Sequence, residues 1–253
     1  MSSHRFMRNI RLTIEYDGTR FCGWQSQRDE KRLKTVQEEI EKAGKKLFGK
    51  RISLIGAGRT DSGSHAEAQV ANFKVRSNLP LYNIKKGLNR YLPKDISILS
   101  VDYVKTDFHA RFDSKGKLYR YTILNRRSRS PLLNRYSAFI TYDLDINAMR
   151  KASKCFIGKK DFKSFQSSDK KDISSIRTIK SLTIVEKSPI IEIYIRADGF
   201  LYRMVRNIAG TLIDVGRGRL SPEEVKEILS KRHRPLAGQT APAKGLCLVK
   251  VFY

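Results

Sequence analysis

Apolar residues recur at every second position in several segments of the chain, as they do in half-buried β-strands. Ile10, Leu12 and Ile14 alternate with polar residues before the turn pair Asp17-Gly18, which predicts a strand that runs into a loop. The alternation in residues 68–75 changes phase once, which indicates a strand with a bulge. Further strands are predicted over residues 96–104, 117–125, 176–185, 190–197 and 246–253.

Apolar residues at helical spacing predict five helices. The first follows Thr35-Val36-Gln37-Glu38, a capping box in which the Thr hydroxyl and the Glu carboxylate bond to backbone amides that the helix leaves unpaired. Ser221-Pro222-Glu223-Glu224 opens the last helix with the same cap and with proline in the first turn. The other helices are predicted over residues 81–92, 145–156 and 200–215.

Strands and helices alternate in both halves of the chain, and the two halves meet near residues 105–115. This order predicts an α+β protein whose halves have similar strand and helix content. A chain of 253 residues has room for two such units. We place the boundary so that residues 1–107 form the N-terminal half and residues 108–253 form the C-terminal half.

The chain carries a large excess of positive charge. It has 51 Lys and Arg residues against 25 Asp and Glu residues, which gives a net charge of +26. Such a charge attracts polyanions, and nucleic acids are the commonest dense arrays of phosphate. The cations are dispersed along the chain, and no apolar stretch approaches the length of about 18 residues that a membrane span needs. We therefore expect a nucleic acid as partner and no membrane.

Cysteine and histidine usage argues against a metal site or a disulfide framework. Cys22, Cys155 and Cys247 are odd in number, far apart and without C-x-x-C spacing. His65 and His109 have no cluster of ligands around them. Residues 1–9 are polar and basic and lack the apolar core of a signal peptide. A reducing, cytoplasmic location is the expectation.

The segment Gly56–Ala66 combines small residues with an arginine and a carboxylate two positions apart, Arg59 and Asp61. It does not match a phosphate-binding loop, because Asp61 stands where G-x-G-x-x-G needs its third glycine. One interpretation is a tight connection in which Asp61 and Ser62 bond to local amides. The other is a catalytic carboxylate beside a guanidinium on a polynucleotide-binding surface, and the net charge favours it.

This segment resembles the catalytic loop of the tRNA pseudouridine synthase A family. The resemblance continues in order along nearly the whole chain, and the ordered set of blocks makes it specific. Ser62 and Ser64, which follow Asp61 in the loop, stand where the family usually has Ala and Val. The other blocks are Tyr16–Gln25, Phe108–Arg111, Lys117–Tyr121, Asp161–Phe165, Met204–Asn207 with Gly210, Val215-Gly216, Thr240–Ala243 and Gly245-Leu246.

The resemblance implies a pseudouridine synthase fold. In that fold two similar halves share a central, mostly antiparallel sheet with helices packed on it, and an active-site cleft lies between the halves. The resemblance also implies that the protein isomerises uridine to pseudouridine in the anticodon stem-loop of tRNA, at positions 38, 39 or 40. The enzyme would be a homodimer that uses neither a cofactor nor a metal ion.

Five residues match functional positions of the family. Asp61 matches the catalytic aspartate, which is needed to break the N1–C1′ bond so that the base can rotate and rejoin through C5. Arg59 matches the arginine associated with base flipping, and Tyr119 the tyrosine that packs on the target ring. Arg206 matches a cation that pairs with the catalytic carboxylate, and Leu246 an apolar position that lines the pocket.

The chemistry of these residue types agrees with such roles. A uracil inside a paired stem must be extruded, at a cost of about a few kcal/mol. An arginine opposite Asp61 would favour its charged form, and a stacked tyrosine contributes about 1–3 kcal/mol per base. Taken alone, an arginine on an amphipathic helix is usually solvated, and a tyrosine in a strand usually packs within the sheet.

Some alternatives stay open at the level of sequence. Trp24, His65 and His109 fit either structural roles or contacts with RNA. A non-catalytic basic RNA-binding protein or RNA chaperone would have the same charge as the enzyme. A nucleoside or glycoside hydrolase is less favoured, because Asp17 and Asp198 lack the spacing of a pair of catalytic carboxylates.

Overall fold

A computed structural model describes residues 7–25, 34–168 and 174–253. These residues form five α-helices and ten strands. The helices are α1 (Val36–Phe48), α2 (Leu81–Tyr91), α3 (Ile146–Ser153), α4 (Met204–Gly216) and α5 (Pro222–Lys231). The strands are β1 (Met7–Tyr16), β2 (Ile55–Gly56), β3 (His65–Arg76), β4 (Ile96–Val104), β5 (Gly116–Asn125), β6 (Ala138–Ile140), β7 (Gly158–Asp161), β8 (Ile176–Lys187), β9 (Ile190–Ala197) and β10 (Leu246–Phe252).

The ten strands belong to one mixed sheet, with the order β4-β1-β3-β10-β5-β9-β8-β7. β2 pairs with β3, and β6 pairs with β5. The β5–β6 pair is parallel, whereas β1 is antiparallel to both of its neighbours and β9 is antiparallel to β5 and β8. The predicted α+β class with a mostly antiparallel sheet is confirmed.

The chain divides into two compact units. The first unit holds the residues up to Lys115 together with Leu248–Tyr253, and the second holds Gly116–Cys247. β10 therefore begins with two residues of the second unit and continues in the first. The boundary between residues 107 and 108 stays a prediction.

In the first unit, β1 lies between β3 and β4 and carries the predicted alternation. Ile10, Leu12 and Ile14 are fully buried, while the intervening side chains are more exposed. β3 does carry a bulge, since the register shifts between the pair Ile14–Gln69 and the pair Tyr16–Ala66. It precedes the predicted place, because Val70 and Ala71, where the alternation changes phase, pair with β1 in regular register. The capping box of α1 forms as predicted.

Two buried asparagines of this unit fasten the turn that follows β4. Asn9 Nδ2 donates to the carbonyl oxygens of Lys105 and Phe108, both at 2.9 Å. Asn72 Nδ2 donates to Asn9 Oδ1, and Asn72 Oδ1 accepts from the Ala110 amide, also at 2.9 Å. Because a buried amide without partners would be costly, these bonds fix the path of the chain over residues 105–110.

In the second unit, β9 lies between β5 and β8, and α3 packs against α4. Tyr119, Tyr121 and Ile123 of β5 are all buried, as their alternation predicts. α4 begins at Met204, later than the predicted residue 200, because Arg203 adopts a left-handed backbone with φ of 58°. The short strands β6 and β7 were not predicted from sequence.

No helix in the described ranges combines the length and the apolar surface that a bilayer crossing requires. Residues 1–6, part of the segment in which no signal peptide is predicted, lie outside the described residues.

Candidate active site

The Asp61 loop, residues 56–66, is bonded to the segment that follows β1. The Trp24 amide donates to the Thr60 carbonyl at 3.3 Å, and the Gly63 amide donates to the Phe21 carbonyl at 3.2 Å. The hydroxyls of Tyr16 and Thr60 share a hydrogen bond of 2.7 Å. These backbone and side-chain bonds give the loop a defined path.

Two glycines allow the segments to approach more closely than side chains would permit. A Cβ atom on Gly18 would lie 1.8 Å from the Ser64 carbonyl oxygen. A Cβ atom on Gly23 would lie 2.4 Å from the Thr60 carbonyl oxygen, and Gly23 has a φ of +81° that favours glycine. Contacts under 3.0 Å with backbone atoms cannot be relieved by rotating a side chain, so both positions require glycine.

Asp61 is half-buried at the turn of this loop. Its carbonyl oxygen accepts two hydrogen bonds from Ser64, one from the amide at 3.1 Å and one from the hydroxyl at 2.7 Å. The Ser62 hydroxyl donates to the Phe21 carbonyl at 3.3 Å. Of the two serines that depart from the family pattern, Ser64 thus bonds to the backbone of Asp61, and Ser62 bonds to the segment after β1.

Arg59 has an exposed side chain on the same loop. Its Nε donates to Gln25 Oε1 at 2.7 Å, which orients the guanidinium through a residue that sequence reasoning did not single out. Gln69 of β3 donates to the Gly58 carbonyl at 2.9 Å. The arginine therefore extends toward solvent from a supported backbone.

Trp24 is a packing residue of this site. It is 2% exposed, and its ring centroid lies 6.3 Å from that of Tyr16. A Cβ atom on Gly56 would lie 2.4 Å from its indole nitrogen. The indole thus fills the space beneath the start of the Asp61 loop.

His65 is buried and bonds to the backbone after β1. Its Nδ1 lies 3.1 Å from the Gly18 amide and 3.2 Å from Asp17 Oδ1. One nitrogen cannot accept from an amide and also donate to a carboxylate. Because the amide is always a donor, we assign Nδ1 as the acceptor, so the histidine holds Gly18 in place.

In the second unit, Tyr119 and Leu246 lie at buried positions. Tyr119 is 6% exposed on β5, and its ring packs edge-to-face on Phe200 with centroids 5.0 Å apart. Leu246 is 5% exposed and is the first residue of β10. The roles of both residues in binding a base stay predictions.

Arg206 lies in the first turn of α4 and is half-buried. Its Nε donates to the Ala241 carbonyl at 2.7 Å, and its own carbonyl accepts from the Ala241 amide at 3.1 Å. Gly210, one turn later, permits this contact, since a Cβ atom there would lie 1.7 Å from the Gln239 carbonyl. The arginine is therefore held against the segment before β10, and its pairing with Asp61 stays a prediction.

Tyr121 also bonds to the segment before β10 and was not among the predicted site residues. Its hydroxyl donates to the Pro242 carbonyl at 2.9 Å. Burial raises its pKa above the ordinary value, and the positive charge of Arg206 lowers it by a smaller amount. Its position two residues from Tyr119 on one strand face was the signal that could have identified it.

Asn207 organises the surroundings of Arg206 and is fully buried. Its Nδ2 donates to the Phe165 carbonyl at 2.7 Å, and its Oδ1 accepts from the Arg234 guanidinium at 3.0 Å and the Thr240 hydroxyl at 2.6 Å. Burial lowers the pKa of Arg234. Three separate segments of the unit are thereby joined at one amide.

Within the described parts of the chain, no group of three or more His, Cys, Asp and Glu side chains has the geometry of a metal site.

Comparison with known proteins identifies similar chains. A family model described as tRNA pseudouridine synthase matches residues 12–113 and 152–253. A protein named tRNA pseudouridine synthase A 2, from Clostridium perfringens, is 49% identical over 98% of this chain and 100% of its own length. tRNA pseudouridine synthase A from Clostridium acetobutylicum is 47% identical with the same coverage. In the solved archaeal box H/ACA sRNP Nop10-Cbf5 complex, one chain aligns with 95% of this chain over 48% of its own length, at a TM-score of 0.40 and 9% identity. This similarity is too weak to support an argument about the fold.

Gly23→Ala should destabilise the protein more than Gly49→Ala. Both glycines have left-handed backbones, with φ of +81° and +69°, but a Cβ atom on Gly49 would meet nothing within 4 Å. We expect Gly49→Ala to lower the free energy of unfolding by about 1–2 kcal/mol. The collision with Thr60 should raise the loss for Gly23→Ala to about 3 kcal/mol or more. Equal losses in denaturant unfolding would show that the close packing of the loop is unimportant.

Tyr121→Phe should make stability less sensitive to alkaline pH. Because the folded-state pKa is raised, tyrosine ionises more easily in the unfolded chain, whose pKa is about 10. The contribution of this pKa difference to the free energy of unfolding is complete below that pH and is lost as the pH rises further. The variant should lose about 1 kcal/mol at neutral pH with its hydrogen bond, yet its free energy of unfolding should fall less steeply above about pH 10.

Tyr82→Phe is the control for this titration, because Tyr82 is 71% exposed. Its free energy of unfolding should follow the wild-type pH dependence. If Tyr121→Phe and wild type also lose stability in parallel above about pH 10, then the burial of Tyr121 does not shift its titration.

Proposed function

Because this chain belongs to the tRNA pseudouridine synthase family, we propose that it acts on uridines of the anticodon stem-loop of tRNA, at positions 38, 39 or 40. The protein is an isomerase that converts uridine to pseudouridine in tRNA. The family resemblance found in the ordered sequence blocks is thus confirmed. The choice of positions rests on that resemblance.

The observation that carries the catalytic proposal is the fixed backbone of the Asp61 loop. Asp61 lies inside the first matched stretch, residues 12–113, and its carbonyl is held by two bonds from Ser64. A carboxylate on so constrained a backbone is preorganised, which lowers the cost of reaching the reactive geometry. We assign Asp61 as the catalytic residue.

The reaction exchanges one glycosidic bond for another. Asp61 is needed to break the N1–C1′ bond. The uracil then rotates, and a C5–C1′ bond forms. The proton at C5 is then lost and N1 gains a proton, so no oxidant, reductant or other co-reactant is consumed. The net change is an isomerisation.

The remaining site residues are proposed to bind and orient the substrate. The exposed guanidinium of Arg59 can contact RNA phosphate or occupy the space left by the flipped base. Tyr119 and Leu246 supply apolar surface for the uracil, and Arg206 supplies a positive charge for the carboxylate of Asp61. The net charge of +26 attracts the RNA over longer distances.

A homodimer in the cytoplasm is part of the same proposal. It rests on the family resemblance and on the residue composition.

Asp61→Asn should abolish isomerisation while preserving tRNA binding. The amide keeps the shape of the side chain but cannot act as a nucleophile or base, so we expect turnover to fall by roughly 10²–10⁴-fold. Tritium release from tRNA labelled at C5 of uridine measures the reaction directly. Asp102→Asn is the matched control, since this half-exposed aspartate pairs with Arg11 on β1 at 3.3 Å.

Equal tritium release by wild type and Asp61→Asn would reject the catalytic assignment. If wild type binds an unmodified transcript tightly but yields no pseudouridine, the protein is instead a non-catalytic RNA-binding protein or chaperone.

The positions can be tested with anticodon stem-loop transcripts that keep a single uridine at position 38, 39 or 40, with base pairing restored by a compensating change. We expect tritium release from at least one of these transcripts and none from a transcript with cytidine at all three. Release from the cytidine transcript labelled at other uridines would place the target elsewhere.

A further inference from the structure

The turn after β4 presents an exposed aromatic ring. Phe112 is 77% exposed. Its ring centroid lies 4.3 Å from that of His109 with the planes 30° apart, and the guanidinium carbon of Arg111 lies 5.8 Å from the Phe112 centroid. We call these three side chains the Phe112 cluster.

Hydrogen bonds within the turn hold the cluster together. His109 Nδ1 accepts from the amides of Arg111 and Phe112, at 3.2 and 3.3 Å. The His109 amide donates to Asp113 Oδ2 at 2.9 Å. The imidazole is therefore held against the backbone that carries the phenyl ring.

The turn is also anchored in the core of the first unit. The Ala110 amide donates to the buried Asn72, and the Ala110 carbonyl accepts from the Tyr253 hydroxyl at 2.7 Å. The ring of Phe108 lies 5.1 Å from that of Tyr253. An exposed ring on so fixed a backbone loses little conformational entropy when a ligand covers it.

The chemistry of the cluster suits a nucleobase. Unpaired bases stack on aromatic rings and on arginine guanidinium planes, and such stacking tolerates any base because every base has a π-face. Residues 105–115 contain three basic side chains, Lys105, Arg111 and Lys115, against Asp107 and Asp113. The local excess of positive charge is small, but the whole chain has a net charge of +26, which attracts phosphate groups.

We propose that the Phe112 cluster is a stacking platform for an unpaired nucleobase of the RNA substrate, additional to the site that receives the target uridine. The proposal rests on the proposed function in that it takes the bound partner to be tRNA. Phe112 stacks on the base, His109 supports the phenyl ring, and Arg111 contacts the neighbouring phosphate.

Phe112→Ala should weaken tRNA binding by roughly 5- to 100-fold, the loss typical of one stacked base. Binding is measured by fluorescence titration of tRNA in an Asp61→Asn background, where the RNA is not converted during the measurement. In the otherwise wild-type enzyme the KM should rise by a similar factor, while kcat at saturating tRNA stays near the wild-type value. Phe112→Trp should bind like wild type.

Salt dependence separates stacking from phosphate contact. The slope of log K against log salt should be unchanged in Phe112→Ala, because no charge is removed. Arg111→Gln should reduce the slope by about one counterion. A reduced slope in Phe112→Ala would show that the ring acts by placing the arginine, and the stacking proposal would fail.

Two further variants test whether the effect is specific to an aromatic ring at position 112. Tyr82→Ala removes a ring that is 71% exposed on α2 and should leave tRNA binding unchanged. Phe112→Leu keeps an apolar side chain without a π-face and should bind tRNA as poorly as Phe112→Ala. Full retention in Phe112→Leu, or a change of mass in sedimentation for Phe112→Ala, would identify a protein contact and overturn the platform.

The outcome is separable from that of the proposed function. If wild type forms pseudouridine but Phe112→Ala binds tRNA normally, only the platform is wrong. If wild type forms no pseudouridine, the enzyme assignment fails, and the binding measurements still decide whether Phe112 stacks on RNA.

Discussion

The close contact between two backbone segments is the constraint on which the Asp61 loop depends. Antiparallel pairing brings the end of β1 opposite the start of β3, with Tyr16 facing Ala66, so the residues after one strand meet those before the other. Gly18 and Gly23 then allow carbonyl oxygens of the loop to occupy space where a Cβ atom would otherwise lie. The path of the backbone at Asp61 thus depends on the sheet register and on the glycines that let the two segments approach.

The second unit uses the same physical device around Arg206. Gly210 removes a Cβ atom at the contact between α4 and the segment before β10, and Asn207 satisfies the polar groups that this contact buries. Packing without side chains is rigid because its partners are backbone atoms, which cannot change rotamer. Each unit therefore presents a proposed site residue from a backbone that neighbouring segments hold in place.

Local pattern predicted most elements of the fold, because strand and helix periodicities and capping boxes depend on neighbouring residues. The capping box of α1 and the alternation of β5 are examples. The predicted start of α4 was wrong, because the apolar spacing from residue 200 does not show that Arg203 has a left-handed backbone. β6 and β7 have three and four residues, too few for a periodicity to appear. At the candidate site, sequence blocks predicted Asp61 and Arg59, whereas the hydrogen bonds of Gln25 and Tyr121 join residues that are far apart in the sequence.

The division of β10 between the two units has a consequence for how the protein folds while it is being synthesised. The first unit acquires its own last strand only from Leu248–Tyr253, after the entire second unit has been made. Until then β3 lacks the neighbour that lies beside it in the finished sheet, and Ala110 lacks the Tyr253 hydroxyl. Domains usually fold in the order of their synthesis, but here the first unit becomes complete only after the second unit has been synthesised.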